Sequence, residues 1–250
     1  MTGSIHIGVG GWTFEPWRGV FYPEGLVQKR ELEFASRALT SIEINGTYYS
    51  TFKPDSWMKW RDETPDGFVF SVKASRYCTN RKILSDGAES FERFLSQGLT
   101  VLGDKLGPIN WQFMGTKKFE PEDFEGFLKL LRVGGTALPP EFRHAVEVRH
   151  PSFNCDQFID LAAKYNVAIV YAENDENPDW PRIDAPTADF TYARLMTSRP
   201  DEPTGMTSDE LDGIAKKAKG WAQRGDVFAY FISGAKERNP AAAMALIEKL

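Results

Sequence analysis

The sequence predicts an α/β chain folded as a single (β/α)8 TIM-type barrel of eight parallel strands, with an irregular connection between strands 6 and 7. Three observations predict it. Eight short runs rich in β-branched and aromatic residues recur along 250 residues, a length typical of one such barrel. Stretches with helical spacing separate most of them, and βα alternation implies a parallel sheet with right-handed crossovers. Toward the strand ends, polar residues recur with a period of two, as expected where one strand face meets a common polar interior.

Strands are expected at 5–11, 41–48, 68–75, 109–113, 144–150, 168–174, 190–196 and 227–233. Between the third and fourth, Phe91, Phe94, Leu95, Leu99, Leu102 and Leu106 read as one apolar helical stripe. Phe124, Phe127, Leu128 and Leu131 form a second stripe before the fifth strand. Asn154 with Gln157, and Thr207 with Glu210, are spaced as capping boxes for the next two helices. Asn239-Pro240 suits the start of a final helix. Residues 175–189 hold Pro178, Pro181 and Pro186 without helical period, so a loop is expected there. No linker, repeat or low-complexity tract divides the chain, and residues 1–250 read as one domain. A doubly wound open sheet is the competing fold. It needs a glycine-rich first turn opening a helix, whereas Gly8-x-Gly10-Gly11 runs into Trp12 and a long loop.

Composition narrows the function classes. A net charge of −5 leaves no basic surplus for general binding to nucleic acid or anionic membrane. Cys78 and Cys155 offer neither a disulfide framework nor a zinc site, which suits a reducing compartment. The N-terminus lacks the basic start and apolar run of a signal peptide, and no stretch is long enough to span a membrane. A cytoplasmic protein acting on a small molecule is expected, with oligomeric state unread. The Asn45-Gly46-Thr47 sequon carries no meaning in such a setting.

The strand ends locate the candidate site. Ile42 and Ile44 take one face of the second strand, leaving Glu43 and Asn45 on the other. By the same alternation Ser71, Lys73 and Ser75 share a face, as do Asn110 and Gln112, Glu147 and Arg149, and Tyr192 and Arg194; Tyr230 falls between Ala229 and Phe231. Helix-covered strands bury apolar groups outward, so the polar set should face the barrel axis. Buried unpaired charge costs several kcal/mol, so Glu43, Lys73, Glu147, Arg149 and Arg194 should be mutually paired there. Convergent ionisable groups at a barrel mouth read as a functional site; the plainer reading is a salt-bridge plug.

The chain also resembles the domain of unknown function 72 (YecE-like) family, which adopts a TIM barrel. The resemblance spans nearly the whole sequence. It rests on Ile7-Gly8-Val9-Gly10-Gly11-Trp12, Trp17-Arg18-Gly19 leading to Phe21-Tyr22-Pro23, Ile42-Glu43-Ile44-Asn45-Gly46-Thr47-Tyr48-Tyr49 and Thr64-Pro65. Phe68-Val69-Phe70-Ser71-Val72-Lys73-Ala74, Gln112-Phe113, Glu147-Val148-Arg149-His150 and Tyr192-Ala193-Arg194-Leu195 complete it. Three strand ends depart from the family's pattern. Phe113-Met114-Gly115 replace a Pro-Pro, Met196-Thr197 a His-Gly pair, and Ile232-Ser233-Gly234 an Asn pair. The resemblance implies a fold and supplies no reaction.

Three functions fit the residues. The first is a metal-free enzyme for a small anionic or polyhydroxylated substrate. In it Glu43 and Glu147 are acid and base, Arg149 and Arg194 clamp a phosphate or carboxylate, and Trp12, Asn45, Gln112, His150, Tyr192 and Tyr230 complete the site. Lys73 either balances the two glutamates or, with a lowered pKa, acts as an amine nucleophile. The second is a divalent-metal isomerase or phosphodiesterase-like enzyme of the xylose isomerase or endonuclease IV kind. Its ligands would be Glu43, Glu147, His150 and Glu173, although nearby arginines and lysine oppose a cation. The third is a binding module without turnover, using Trp12, Phe14, Trp17, Phe21 and Tyr22 to stack a sugar or base. Phe21 and Tyr22 are expected to pack as a cover instead. Single-stranded nucleic acid would need Arg18, Arg76, Arg81 and Lys82, which read as solvated rim charges.

Overall fold

In the computed structural model, which describes residues 2–133 and 142–250, the strands lie in one parallel sheet that curls into a barrel. They are β1 (Ile5–Gly10), β2 (Ser41–Ile44), β3 (Val69–Lys73), β4 (Leu106–Gln112), β5 (His144–Glu147), β6 (Ala168–Ile169), β7 (Tyr171–Asn174), β8 (Phe190–Met196) and β9 (Asp226–Phe231). The ladder runs β6-β5-β4-β3-β2-β1-β9-β8-β7. Its two edges, β6 and β7, are consecutive pieces of the sixth expected strand. Before Val170 the chain pairs with β5; after it, with β8. The nine strands therefore make eight staves, and the barrel closes through Val170, whose amide donates to the Val146 carbonyl at 2.9 Å.

Helices cover the outer face: α1 (Glu31–Ala38), α2 (Pro54–Glu63), α3 (Arg76–Thr79), α4 (Ala88–Leu95), α5 (Pro121–Val133), α6 (Asp156–Lys164), α7 (Ser208–Ala222) and α8 (Asn239–Ile247). The main apolar core lies between them and outward residues such as Ile42, Ile44, Trp111 and Val146. A second cluster fills the barrel with Ala145, Ala168, Ala172, Tyr192, Phe228 and Tyr230. Strand residues of opposite parity thus go to different cores. Gly8 faces the crowded interior, where a Cβ would come 1.8 Å from the Ser41 carbonyl oxygen.

Local chemistry sets the element ends, with some corrections. The Thr207–Glu210 capping box is formed in both directions. The one at Asn154 is not: Asn154 closes a 3-10 turn, and Cys155 stands at the N-cap of α6 without a side-chain bond. The long stripe before β4 is not one helix either. α4 ends at Leu95, Gly98 reverses the chain at φ +115°, Leu99–Lys105 is a 3-10 segment, and Leu106 already belongs to β4. Expected strands 2, 5 and 8 stop short, at Ile44, Glu147 and Phe231. After β2 the backbone of Asn45 turns helical and Gly46–Tyr48 forms a 3-10 turn.

The segment 175–189 carries no helix and is nevertheless anchored. The Thr187 hydroxyl donates to the Val167 carbonyl at 2.7 Å and accepts from the Ile169 amide. Trp221 donates from its indole to Asp184. Among the described residues no helix is long and apolar enough to cross a membrane, and both cysteines are free.

Candidate functional site

Register and parity bring the strand ends together. Glu43 stands level with Ser71, Lys73 with Asn110, and Gln112 with Glu147, while Arg194 lies beside Ala172 on one side and Tyr230 on the other. Arg194 is the keystone. Its guanidinium, only 2% exposed, donates to Glu147 Oε2 at 2.5 Å, Glu43 Oε1 at 3.1 Å and Gln112 Oε1 at 3.2 Å. Arg149 donates twice to the other Glu147 oxygen, at 2.7 and 2.9 Å. The Tyr192 hydroxyl donates to Glu43 Oε2 at 2.5 Å, and the Asn110 amide reaches both carboxylates at 3.3 and 3.4 Å. One layer deeper, the Tyr230 hydroxyl sits between Ser41 and Ser71 at 2.7 and 2.6 Å.

This layer forms the floor of an open hollow of about 380 Å³ lined by Gly10, Asn45, Lys73, Gln112, Arg149, Arg194, Lys236 and Asn239, among others. The two glutamates are claimed by guanidinium groups. Lys73 is not so placed: among the described residues its amine forms no hydrogen bond or ion pair. It rests instead over the Tyr48 ring, 4.6 Å from the centroid. The short turn after β2 holds that ring. The Thr47 hydroxyl lies 2.6 Å from the Lys73 carbonyl oxygen and 3.0 Å from that of Ile44, and Asn80 donates to the Tyr48 hydroxyl. The sequon threonine is thus a buried brace.

Electrostatics follow from this pairing. Burial pushes the Lys73 pKa down to about 8, with Arg194 and Arg149 adding to the fall and the glutamates only partly opposing it. Burial alone would raise the Glu147 carboxyl, but Arg194, Arg149 and Lys73 outweigh it and hold it down at about 2. Arg194 keeps its proton because Glu147 and Glu43 overcome its desolvation. Burial, then Glu43, pushes the Tyr192 hydroxyl well above its ordinary value. Burial also lowers Lys236, whose amine lies 4.1 Å from the centroid of the Phe14 ring.

The sequence-predicted residues divide. Glu43, Lys73, Gln112, Glu147, Arg149 and Arg194 converge, and Asn45 joins them on the wall. Tyr192 and Tyr230 are fully buried beneath the floor. Trp12 is turned aside, because Gly11 takes φ +73°, and it packs edge-on against Trp60 and Phe70. His150 caps the 3-10 turn 151–153, bonding Ser152 through Nδ1. Glu173 has outward parity and faces Arg182 at 3.7 Å. The ligand set Glu43, Glu147, His150 and Glu173 is therefore not assembled, and among the described residues no three His, Cys, Asp or Glu side chains are grouped to hold a metal. Trp17, Phe21 and Tyr22 form a buried cover, as expected of the latter two.

Sequence reasoning passed over Tyr48, Lys236, Asn239 and Trp180. The Trp180 ring, from the irregular segment, lies 4.2 Å from the Arg149 guanidinium carbon. Asn110 shares the parity that selected Gln112, so its signal was present in the sequence.

Comparisons with known proteins agree with this fold. Among curated proteins, the chain is 29% identical over 149 residues to UPF0759 protein YecE of Escherichia coli (strain K12), covering 60% of this chain. It spans about half the length of the curated relatives it matches, 50% in that case. A crystal structure of a DUF72 family protein from Thermotoga maritima MSB8 superposes with a TM-score of 0.77 at 23% identity, covering 98% of each chain. A sugar phosphate isomerase/epimerase from Parabacteroides distasonis ATCC 8503 shares the barrel at a TM-score of 0.53 and 10% identity, covering 96% of this chain and 95% of that one. The model of the family described as "Protein of unknown function DUF72" matches residues 6–250, and the chain belongs to that family.

Proposed function

We propose that the mouth binds a small anionic substrate and that Lys73 exchanges a proton with it. One observation carries the reading. Both carboxylates beneath the hollow are held by Arg149 and Arg194, which leaves the Lys73 amine, among the described residues, without an ion-pair partner on a polar floor. A buried ammonium without a partner is costly, and a bound phosphate or carboxylate would supply one. Lys236, Gln112, Asn45 and the outer edge of Arg149 line the same space. The hollow's volume suits a metabolite of a few carbons.

Roles follow from the pairing. With a pKa of about 8, Lys73 changes protonation near neutral pH, whereas Glu147 at about 2 stays ionised and serves to hold the arginines. Arg149 supports the anion from the rim, braced by Trp180; Arg194 is spent on the glutamates and acts by positioning them. The isomerase/epimerase neighbour is named for a sugar phosphate, which is anionic and polyhydroxylated; its likeness is one of fold. The metal-dependent reading has less support, because Glu173 and His150 point away from the glutamates.

Calorimetric titration with inorganic phosphate, and with a panel of sugar phosphates and small carboxylic acids, tests the reading. Binding should weaken at least about tenfold in Lys73→Met and in Arg149→Met, the loss of one charge-assisted contact each. Unchanged affinity in both variants, or no binding by the parent protein, would overturn it.

A further inference from the structure

We infer that the Lys73 amine captures a carbonyl carbon, so that the substrate is an aldehyde or ketone that also bears a phosphate or carboxylate. This rests on the anion-binding reading above and adds a covalent step to it.

Four observations converge on that amine. It ends a barrel strand and opens into the hollow, where chemistry in this architecture is done. Among the described residues it is bound by no carboxylate, so only its own proton has to leave before its lone pair is used. One side of it is the face of Tyr48, whose ring is fixed by the turn after β2 and withholds water from the nitrogen. Arg149 and Arg194 line the same hollow, and a desolvated lysine beside other cations is a common form of amine nucleophile. Among the described residues Lys73 forms no direct ion pair with Glu43 or Glu147, whose oxygens accept from Arg194, Arg149, Tyr192 and Asn110.

The step balances without any further reactant. The nitrogen lone pair attacks the carbonyl carbon, and the π electrons move to oxygen, which takes a proton. The resulting carbinolamine loses its hydroxyl as water with a second proton, and the nitrogen becomes doubly bonded to carbon. Counted from the ammonium, two of its three protons leave in the water and one stays on the iminium. The charge is +1 before and after, so the surrounding ion network need not rearrange, and nothing is oxidised or reduced. Gln112 and Asn45 can hydrogen-bond the oxygen as it leaves, while Arg149 and Lys236 hold the anionic end.

Borohydride trapping tests this. The protein is incubated with dihydroxyacetone phosphate, or with pyruvate as a small 2-oxo acid, then reduced, digested and mapped by mass spectrometry. A reduced adduct on the peptide containing Lys73, diminished by excess inorganic phosphate, is expected with at least one probe. In Lys73→Arg, which has no primary amine at that position, the adduct should vanish. No adduct in the parent protein, an adduct confined to other lysines such as Lys236, or an undiminished adduct in Lys73→Arg each overturns the inference. Phosphate binding without an adduct defeats only the covalent step; an adduct on Lys73 insensitive to phosphate defeats the anion-binding reading instead.

Discussion

Replacing Lys73 by Met should make the protein more stable at neutral pH. Met keeps the length and apolar stem and removes the ammonium. The fall of the Lys73 pKa from 10.5 to about 8, at about 1.4 kcal/mol per pH unit, corresponds to about 3 kcal/mol of folded-state penalty on the charged form. Loss of the contact with the Tyr48 ring offsets about 1 kcal/mol of the gain. A net stabilisation of about 2 kcal/mol remains, or roughly 4–8 °C for a chain of this size. The sign fixes the pH window. Below pH 8 the amine is protonated in both folded and unfolded chains and the penalty is fully present. Between 8 and 10.5 only the unfolded chain holds the proton, so the parent protein gains on the variant, and above 10.5 the difference levels off. Urea denaturation of both proteins at intervals from pH 6 to 11 reads this directly. A variant less stable than the parent at pH 7, or a difference that does not change through that window, would refute the reasoning.

Three further outcomes are expected. Glu147→Gln leaves Arg194 and Arg149 without their shared carboxylate and should lose about 3–5 kcal/mol in urea denaturation at pH 7. Because this carboxyl is held at about 2, its stabilising contribution in the parent should fall away as pH drops from about 4.5 toward 2. Gly10→Ala places a methyl group 2.5 Å from the Asn45 amide nitrogen and 3.3 Å from Ile232, so it should narrow the hollow and weaken phosphate binding roughly tenfold in calorimetry, with the melting temperature little changed. Ser233→Asn should raise stability by about 0.5–1 kcal/mol, measured by urea denaturation, because this residue takes a left-handed φ of 64° that Asn tolerates better than Ser.

The last of these connects sequence to fold in an unexpected place. The family pattern carries an Asn pair near the end of the last strand, and the chain there enters the left-handed region at Ser233 and Gly234. Ser233 thus stands at a position where Asn is more at ease.

The barrel and its polar floor were legible because alternation leaves little freedom. With Ile42 and Ile44 turned to the helices, Glu43 has to meet the axis, and the same argument carries Lys73, Gln112, Glu147 and Arg194. The parity test, applied to β7, also separates Ala172 and Asn174 from Glu173; treating Glu173 as a possible ligand overlooked it. Residues beyond the strand ends were less legible. The Asn45-Gly46 pair is a turn signal that the strand reading ran past, whereas the Thr47 hydroxyl's bonds to two carbonyls, which fix the ring beneath Lys73, are a tertiary fact. Trp12 lies just past a strand, where one left-handed glycine decides its direction. Trp180 sits in a segment with no periodicity, so its stacking on Arg149 is a tertiary fact. Which cation goes unpaired was hidden as well. The sequence offers three cations and two carboxylates on these strands, and the guanidinium forks win the carboxylates through geometry.

The most direct measurement is the titration of the Lys73 side chain itself, followed by NMR of labelled lysine with and without inorganic phosphate, assigned through Lys73→Arg. An uncompensated amine at the mouth should titrate near 8 and move upward when phosphate binds, since an anion favours the charged form. A midpoint near 10.5 that phosphate leaves unmoved would contradict the account.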